Sequence, residues 1–251
     1  MPLSGQRIGP LSFVPAEPDD AADIVMVAAL SGSSVGTHVH LANAYSIALA
    51  DRDPDVRAVL TGDALNFADG KPLGWYSAIR GHRPAVRQVR GPQLFRDVFD
   101  RGRPSGLKHF LLGSTAETLA LLESAIRDRF PGANIVGRIS PPFRALSLAE
   151  IAEQDREIAR SGAQIVWVGL GTPKQDFEVA RLATALPVVA VAIGAAFDFV
   201  AGTVAESPPW IGKIGFEWLY RLCKEPKRLW RRYLFGNFHF IWAIKRHWSA
   251  K

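Results

Sequence analysis

The chain has 251 residues, 48% apolar and 22% charged: enough for one α/β domain with an appendage, too few for two large domains. Its formal charge of +6 is uneven, because from Trp210 onward ten Lys and Arg stand against only Glu217 and Glu225. An anionic partner is therefore expected at the tail, whether a membrane surface, a nucleic acid or a diphosphate, while the single cysteine, Cys223, excludes a disulfide framework and a multi-cysteine zinc site.

Residues 1–20, rich in proline and polar groups, read as a loose lead-in. From 21 to 205 apolar runs alternate with amphipathic ones. Ile24–Leu30 reads as a strand, Leu41–Ala50 as a short helix, and Val56–Leu60 and Asn66–Ala68 as extended segments closed by Asp69-Gly70. Leu94–Phe99 is helical, His109–Gly113 a strand, and Thr115–Phe130 a helix that Ser114 or Thr115 caps. Asn134–Ile139 is a strand, Ser147–Ser161 a helix, Ile165–Gly169 a buried strand, Gln175–Ala185 a helix and Val188–Ile193 another buried strand. Short apolar strands alternating with longer helices predict an α/β fold, a mostly parallel sheet flanked by helices with a Rossmann-like core. The last segment, 206–251, holds five of the seven tryptophans and most of the surplus cations, and predicts an appended helical module. Pro226 divides it and Gly236-Asn237 suggests a further break. No apolar run reaches the roughly 18–20 residues of a bilayer span, and the start lacks a signal-type apolar core.

In parallel sheets, ligands gather where strands end. That rule singles out Gly113-Ser114, the run Gly169-Leu-Gly-Thr-Pro-Lys-Gln175 with its Gly171 and Thr172, and Gly194-Ala-Ala-Phe-Asp198. The run from Gly169 suits a phosphate: two glycines let backbone approach a ligand, and the next helix begins near Pro173. It is neither a GxGxxG fingerprint nor a Walker A loop. Asp51-Arg-Asp-Pro-Asp55 holds two overlapping DxD tripeptides, but it follows a helix-like stretch and ends in a proline turn, so a solvated helix terminus is the better reading. The tail combines Lys227, Arg228, Arg231 and Arg232 with Trp218, Trp230 and further rings. A nucleic-acid groove uses the same ingredients, yet the aromatic density suits rings at the headgroup level with cations reaching anionic lipid.

Several motifs in order carry a resemblance. They are Asn43-Ala44 before Ala50-Asp-Arg-Asp-Pro54, Ala68-Asp69-Gly70, the Gly169–Gln175 run, Gly194 to Gly202, and Gly215-Phe-Glu-Trp-Leu-Tyr-Arg-Leu222 with Glu225-Pro226. With them the chain resembles the WecG/TagA/CpsF glycosyltransferase family from about Asp23 to Tyr233. The resemblance implies a metal-independent, inverting transferase without a cofactor. It would carry a sugar, N-acetylmannosamine or another hexose derivative, from a UDP-sugar to a polyprenyl-diphosphate-linked acceptor in cell-surface or exopolysaccharide synthesis. The expected location is the cytoplasm, peripheral at the inner face of the cell membrane, with the appendage helping to complete the site.

By the same resemblance Asp69 falls on the candidate general base, and Asn43 and Gln175 on pocket residues. Arg221 falls on a diphosphate contact, and Arg87 and Arg90 both qualify as an upstream pocket arginine. Departures include Gln93 in place of an acid and Glu206-Ser207-Pro208 where Arg-Ala-Pro is usual. The resemblance leaves room for a homo-oligomer, although no heptad pattern specifies one, and nucleic acid is not expected as a partner. Two alternatives stand beside this reading: a metal-dependent DxD-type transferase using Asp51 and Asp53, and a nucleic-acid-binding protein using the basic tail.

Overall fold

The computed structural model describes residues 5–248. The side chains of Pro209, Lys213, Ile214, Arg228, Arg231, Arg232 and Phe235 lie outside the described residues, and with them the Arg228, Arg231 and Arg232 part of the expected membrane face.

The chain opens with a hairpin, β1 (Gln6–Ile8) and β2 (Leu11–Phe13), followed by α1 (Pro18–Leu30). The expected loose lead-in is thus replaced by ordered structure from residue 6: Ile8, Leu11 and Phe13 are wholly buried. The expected strand at Ile24–Leu30 is the second half of α1. Its start carries Pro18 at the first helical position and a reciprocal Glu17/Asp20 capping box, and Ala21, Ala22, Val25 and Ala29 form one buried helical stripe.

Next come β3 (Thr37–Ala42), α2 (Ala44–Arg52), α3 (Pro54–Val59), β4 (Leu65–Ala68) and α4 (Lys71–Ile79). The Val56–Leu60 stretch, expected to be extended, lies mostly in α3, because Asp53 caps the backbone N–H groups of Asp55 and Val56 and Pro54 presets the first turn. Then follow α5 (Gly91–Arg101), β5 (Lys108–Gly113), α6 (Ala116–Arg129), β6 (Asn134–Ile139), α7 (Leu148–Ser161), β7 (Ile165–Gly169), α8 (Lys174–Ala185), β8 (Val189–Ala192) and α9 (Ala196–Ala201). Thr115 and Ser147 cap α6 and α7 as their positions predict.

Strands β3 to β8 form one six-stranded parallel sheet in the order β4-β3-β8-β7-β5-β6. Strands β7 and β8 are apolar throughout because helices cover both faces. On one face Trp167 packs with Phe95 and Phe99 of α5; on the other, Val166, Val168 and Ala190 meet Ile158 of α7 and Val179 and Leu182 of α8. Parallel strands all end at one edge of the sheet. That edge collects Asn43, Asp69, Ser114, Gly169 and Gly194.

The tail forms α10 (Pro209–Ile214), α11 (Glu217–Lys224) and α12 (Pro226–Arg246). Helix α12 packs on α2 and buries Phe240 and Ala243 among Ile8, Phe13, Ile47 and Tyr76. The break expected at Gly236-Asn237 is absent. Gly236 stays helical and lets α12 cross Tyr45: a Cβ there would lie 2.9 Å from its ring.

Candidate active site

Two cavities adjoin at the strand ends. The first, about 540 Å³, is walled by Asn43, Asp69, Arg90, Gly169, Gly171, Thr172, Gln175, Asp198 and Arg221, with Tyr45, Ser114, Phe143, Glu217 and Leu229. The second, about 310 Å³, lies between the core and the tail and is walled by Lys71, Gln88, Trp218, Tyr233, Asn237, Phe240 and Ile241. Asn43, Tyr45, Asp69, Glu217 and Arg221 wall both. Asp69 therefore stands at their junction.

Local sequence sets each position. Asp69 ends β4; its backbone N–H bonds Ala42 O, and Gly70 follows at φ +113, a turn that favours glycine. Asn43 ends β3, and its Oδ1 accepts the N–H groups of Tyr45 at 3.0 Å and Ser46 at 3.3 Å, capping α2. Gln175 sits in the first turn of α8, buried, with its Oε1 accepting the N–H groups of Gly171 at 3.0 Å and Gly194 at 3.1 Å. Both amides thus spend their carbonyls on structure, and what each offers a ligand is its NH2. Gln175 also ties the β7 and β8 loops into one floor. The expectation that backbone N–H groups of the Gly169–Thr172 loop receive a ligand is amended at Gly171, whose N–H is already engaged.

The two arginines that the sequence left open are separated by the structure. Arg87 lies on the surface paired with Glu17, and it walls neither cavity. Arg90 walls the first cavity, but its guanidinium holds Glu217 of α11 through two hydrogen bonds and also meets Glu206. Those carboxylates, with Asp69 nearby, raise its pKa against the opposing effect of burial. Arg96 completes the cluster on Glu206. The Glu206 that departs from the usual pattern is thereby neutralised, and the arginines lower its pKa against burial. Arg221 of α11 lies over the Phe199 ring at 5.4 Å and walls both cavities. With Arg90 committed to carboxylates, Arg221 is the wall guanidinium best placed to meet a ligand anion.

Gly113 does not wall the cavity. Its φ is +124 and a Cβ would meet Gly169 O at 2.5 Å, so it serves the close approach of β5 and β7. Ser114 takes its place in the wall, at φ 56, with its N–H on Gly169 O at 3.2 Å. Asp198, in α9, is in the wall as expected. Trp218, expected at a membrane, walls the second cavity and packs against Tyr233. Lys227 and Trp230 are exposed. Asp51 and Asp53 wall neither cavity: Asp53 caps α3, and Asp51, far from solvated, pairs with Arg246 and His247. Among the described residues no cluster of three or more His, Cys, Asp or Glu could hold a metal ion.

Sequence reasoning missed Tyr45, Glu217 and Phe143. Glu217 carried a signal, since it lies inside the Gly215–Leu222 motif; Tyr45 and Phe143 carried none.

The parallel sheet thus presents a glycine-lined cleft at its strand ends, with Asp69 as a wall residue common to two adjoining cavities. The Glycosyl transferase WecG/TagA/CpsF family profile matches residues 7–251, nearly the whole chain, and the chain belongs to that family. It is a glycosyltransferase, and its site must receive a sugar donor and an acceptor.

Proposed function

We propose that the enzyme is an inverting transferase that moves a sugar, N-acetylmannosamine or another hexose derivative, from a UDP-sugar to a polyprenyl-diphosphate-linked acceptor without a metal ion. The observation that carries this reading is the position of Asp69 as common wall of the two cavities. A donor in the first and an acceptor in the second meet at its carboxylate.

In this mechanism the acceptor hydroxyl gives its proton to the Asp69 carboxylate as its oxygen bonds the anomeric carbon. The bond from that carbon to the UDP oxygen breaks on the opposite face, inverting the centre. A positioned base of this kind contributes on the order of 10²–10⁴ in rate. Negative charge grows on departing UDP, and Arg221 with the N-terminal dipole of α8 offsets it. The amide groups of Asn43 and Gln175 orient sugar hydroxyls.

The second cavity suits a lipid-linked acceptor because Phe240, Ile241 and Trp218 give it apolar walls. Outside it, α12 exposes Trp230, Leu234, Phe238 and Trp242 along one helical face, and Lys227 stands near its start. That face is suited to the headgroup layer of an anionic inner membrane leaflet. Among the described residues no helix is long and apolar enough to cross a membrane.

The test is transfer from a panel of UDP-sugars to a polyprenyl-diphosphate-linked sugar in EDTA. Product with one donor is expected. Absence of product with every donor, together with no UDP binding, would sink the proposal.

A further inference from the structure

The first cavity crosses the sheet. Asp69 follows β4 at one edge, and Phe143 follows β6 at the other. With neighbouring strands roughly 4.8 Å apart, five intervals separate these edges by about 24 Å. Both residues nevertheless wall one cavity, so both loops reach inward.

Phe143 walls the cavity and is 87% exposed, so its ring is open to a ligand. Its loop is not slack. Ser140 Oγ donates to Ser114 O at 2.8 Å, fixing the root of the loop to another wall residue. Pro141 and Pro142 restrict the backbone just before the ring, and Arg144 N–H bonds Pro142 O at 2.8 Å just after it. Arg144 then forks onto Glu150 at 2.6 and 2.9 Å, and Glu150 closes the capping box with Ser147. The loop is held on both sides while the ring itself remains largely uncovered.

We infer that Phe143 is the stacking platform for the nucleobase of the donor. The inference rests on the sugar-nucleotide reading above and adds the orientation of the donor across the sheet. The anomeric carbon must lie at Asp69, and the diphosphate by Arg221. The base, farthest along the donor from the reacting carbon, then falls toward the β6 side of the cavity, where Phe143 is the exposed aromatic residue of the wall. A fixed ring costs little further ordering when it stacks.

Titration calorimetry of UDP, UMP and inorganic pyrophosphate against wild type, Phe143→Ala and Phe143→Trp tests this. Phe143→Ala should weaken UDP and UMP about 10- to 100-fold, the usual value of one base–aromatic stack, and leave pyrophosphate unchanged. Phe143→Trp should bind UDP within a few-fold of wild type and show additional fluorescence quenching on binding. Because the ring is exposed, both variants should fold. Wild-type UDP affinity in Phe143→Ala, or a loss for pyrophosphate as large as that for UDP, would overturn the platform and leave the transferase reading standing. A loss seen with UDP-sugar but not with UMP would assign the ring to the sugar and also overturn it. A wild type that binds no UDP would sink both readings.

Discussion

The Arg90 guanidinium grips the carboxylate of Glu217 from two sides, Nε to Oε2 at 3.1 Å and Nη2 to Oε1 at 2.9 Å. Arg90 belongs to the core and Glu217 to the tail, and both wall the first cavity. This pair, with Glu206 and Arg96, is an ionic hinge that fixes α11, and therefore Arg221, over the strand ends.

Arg90→Ala should leave two partly buried carboxylates facing each other. A loss of about 2 kcal/mol in urea unfolding is expected, since hydrogen bonds to charged groups are worth about 1.5–3 kcal/mol. Limited proteolysis should also open the chain near 202–209. A double-mutant cycle with Glu217→Gln should show coupling of at least ~1 kcal/mol; additive effects would mean that the pair does not act as a unit.

Gln175→Ala removes the acceptor shared by Gly171 and Gly194. Stability should fall by about 1–3 kcal/mol and KM for the donor should rise. Gln175→Glu keeps the acceptor but loses the NH2 and adds negative charge beside the expected diphosphate. It should fold normally and lose kcat/KM, a split visible by comparing melting curves with kinetics.

Two histidines predict how stability depends on pH. His38 is pushed down to about 4 by burial and by neighbouring His40, with Asp63 acting the other way. His109 is pushed down to about 3 by burial, stacked on Phe99 and accepting the indole N–H of Trp167 at 3.1 Å. Both are neutral in the fold and take up protons more readily when unfolded. Stability should therefore be flat above the unfolded histidine pKa of about 6.5 and decline as pH falls from there toward 4, by up to about 1.4 kcal/mol per pH unit per group. Urea midpoints at pH 7.5 and 5.5 check this, and His38→Asn should flatten the slope. His40 donates from Nδ1 to Asp176 Oδ1 at 2.9 Å, and its Nε2 lies 2.9 Å from His38 Nδ1.

Trp230, Phe238 and Trp242 are 43%, 63% and 57% exposed, so replacing all three with serine should spare the fold. Each aromatic inserted into the headgroup layer contributes on the order of 1.5 kcal/mol or more. Binding to vesicles of phosphatidylcholine and phosphatidylglycerol should drop at least tenfold in sedimentation, with UDP affinity unchanged. Undiminished sedimentation would remove this face from the membrane account.

The sequence made the second half of the core legible because strands buried on both faces are short apolar runs, as in Ile165–Gly169, and because ligands follow strand ends. That rule reached the Gly169–Thr172 loop, Gln175 and Asp198. The first half was less readable: Ile24–Leu30 has the apolar density of a buried strand, and the Glu17/Asp20 cap that makes it a helix lay in what read as lead-in. Arg87 and Arg90 were indistinguishable because their partners, Glu17 and Glu217, are chosen by tertiary placement. The second cavity was invisible for the same reason, being built where Tyr233 and Phe240 of α12 meet Asn43 and Asp69 of the core. Gly236 read as a break because sequence does not show that a helix must pass close to Tyr45.

The most direct measurement is the turnover of Asp69→Asn beside its affinity for UDP. The account predicts a fall in kcat of at least about 10²-fold, with UDP binding and the melting temperature close to wild type, because only the proton acceptor is lost. Equal losses in turnover and UDP affinity, or turnover near the wild-type value, would contradict the assignment of Asp69 as the base between the two cavities.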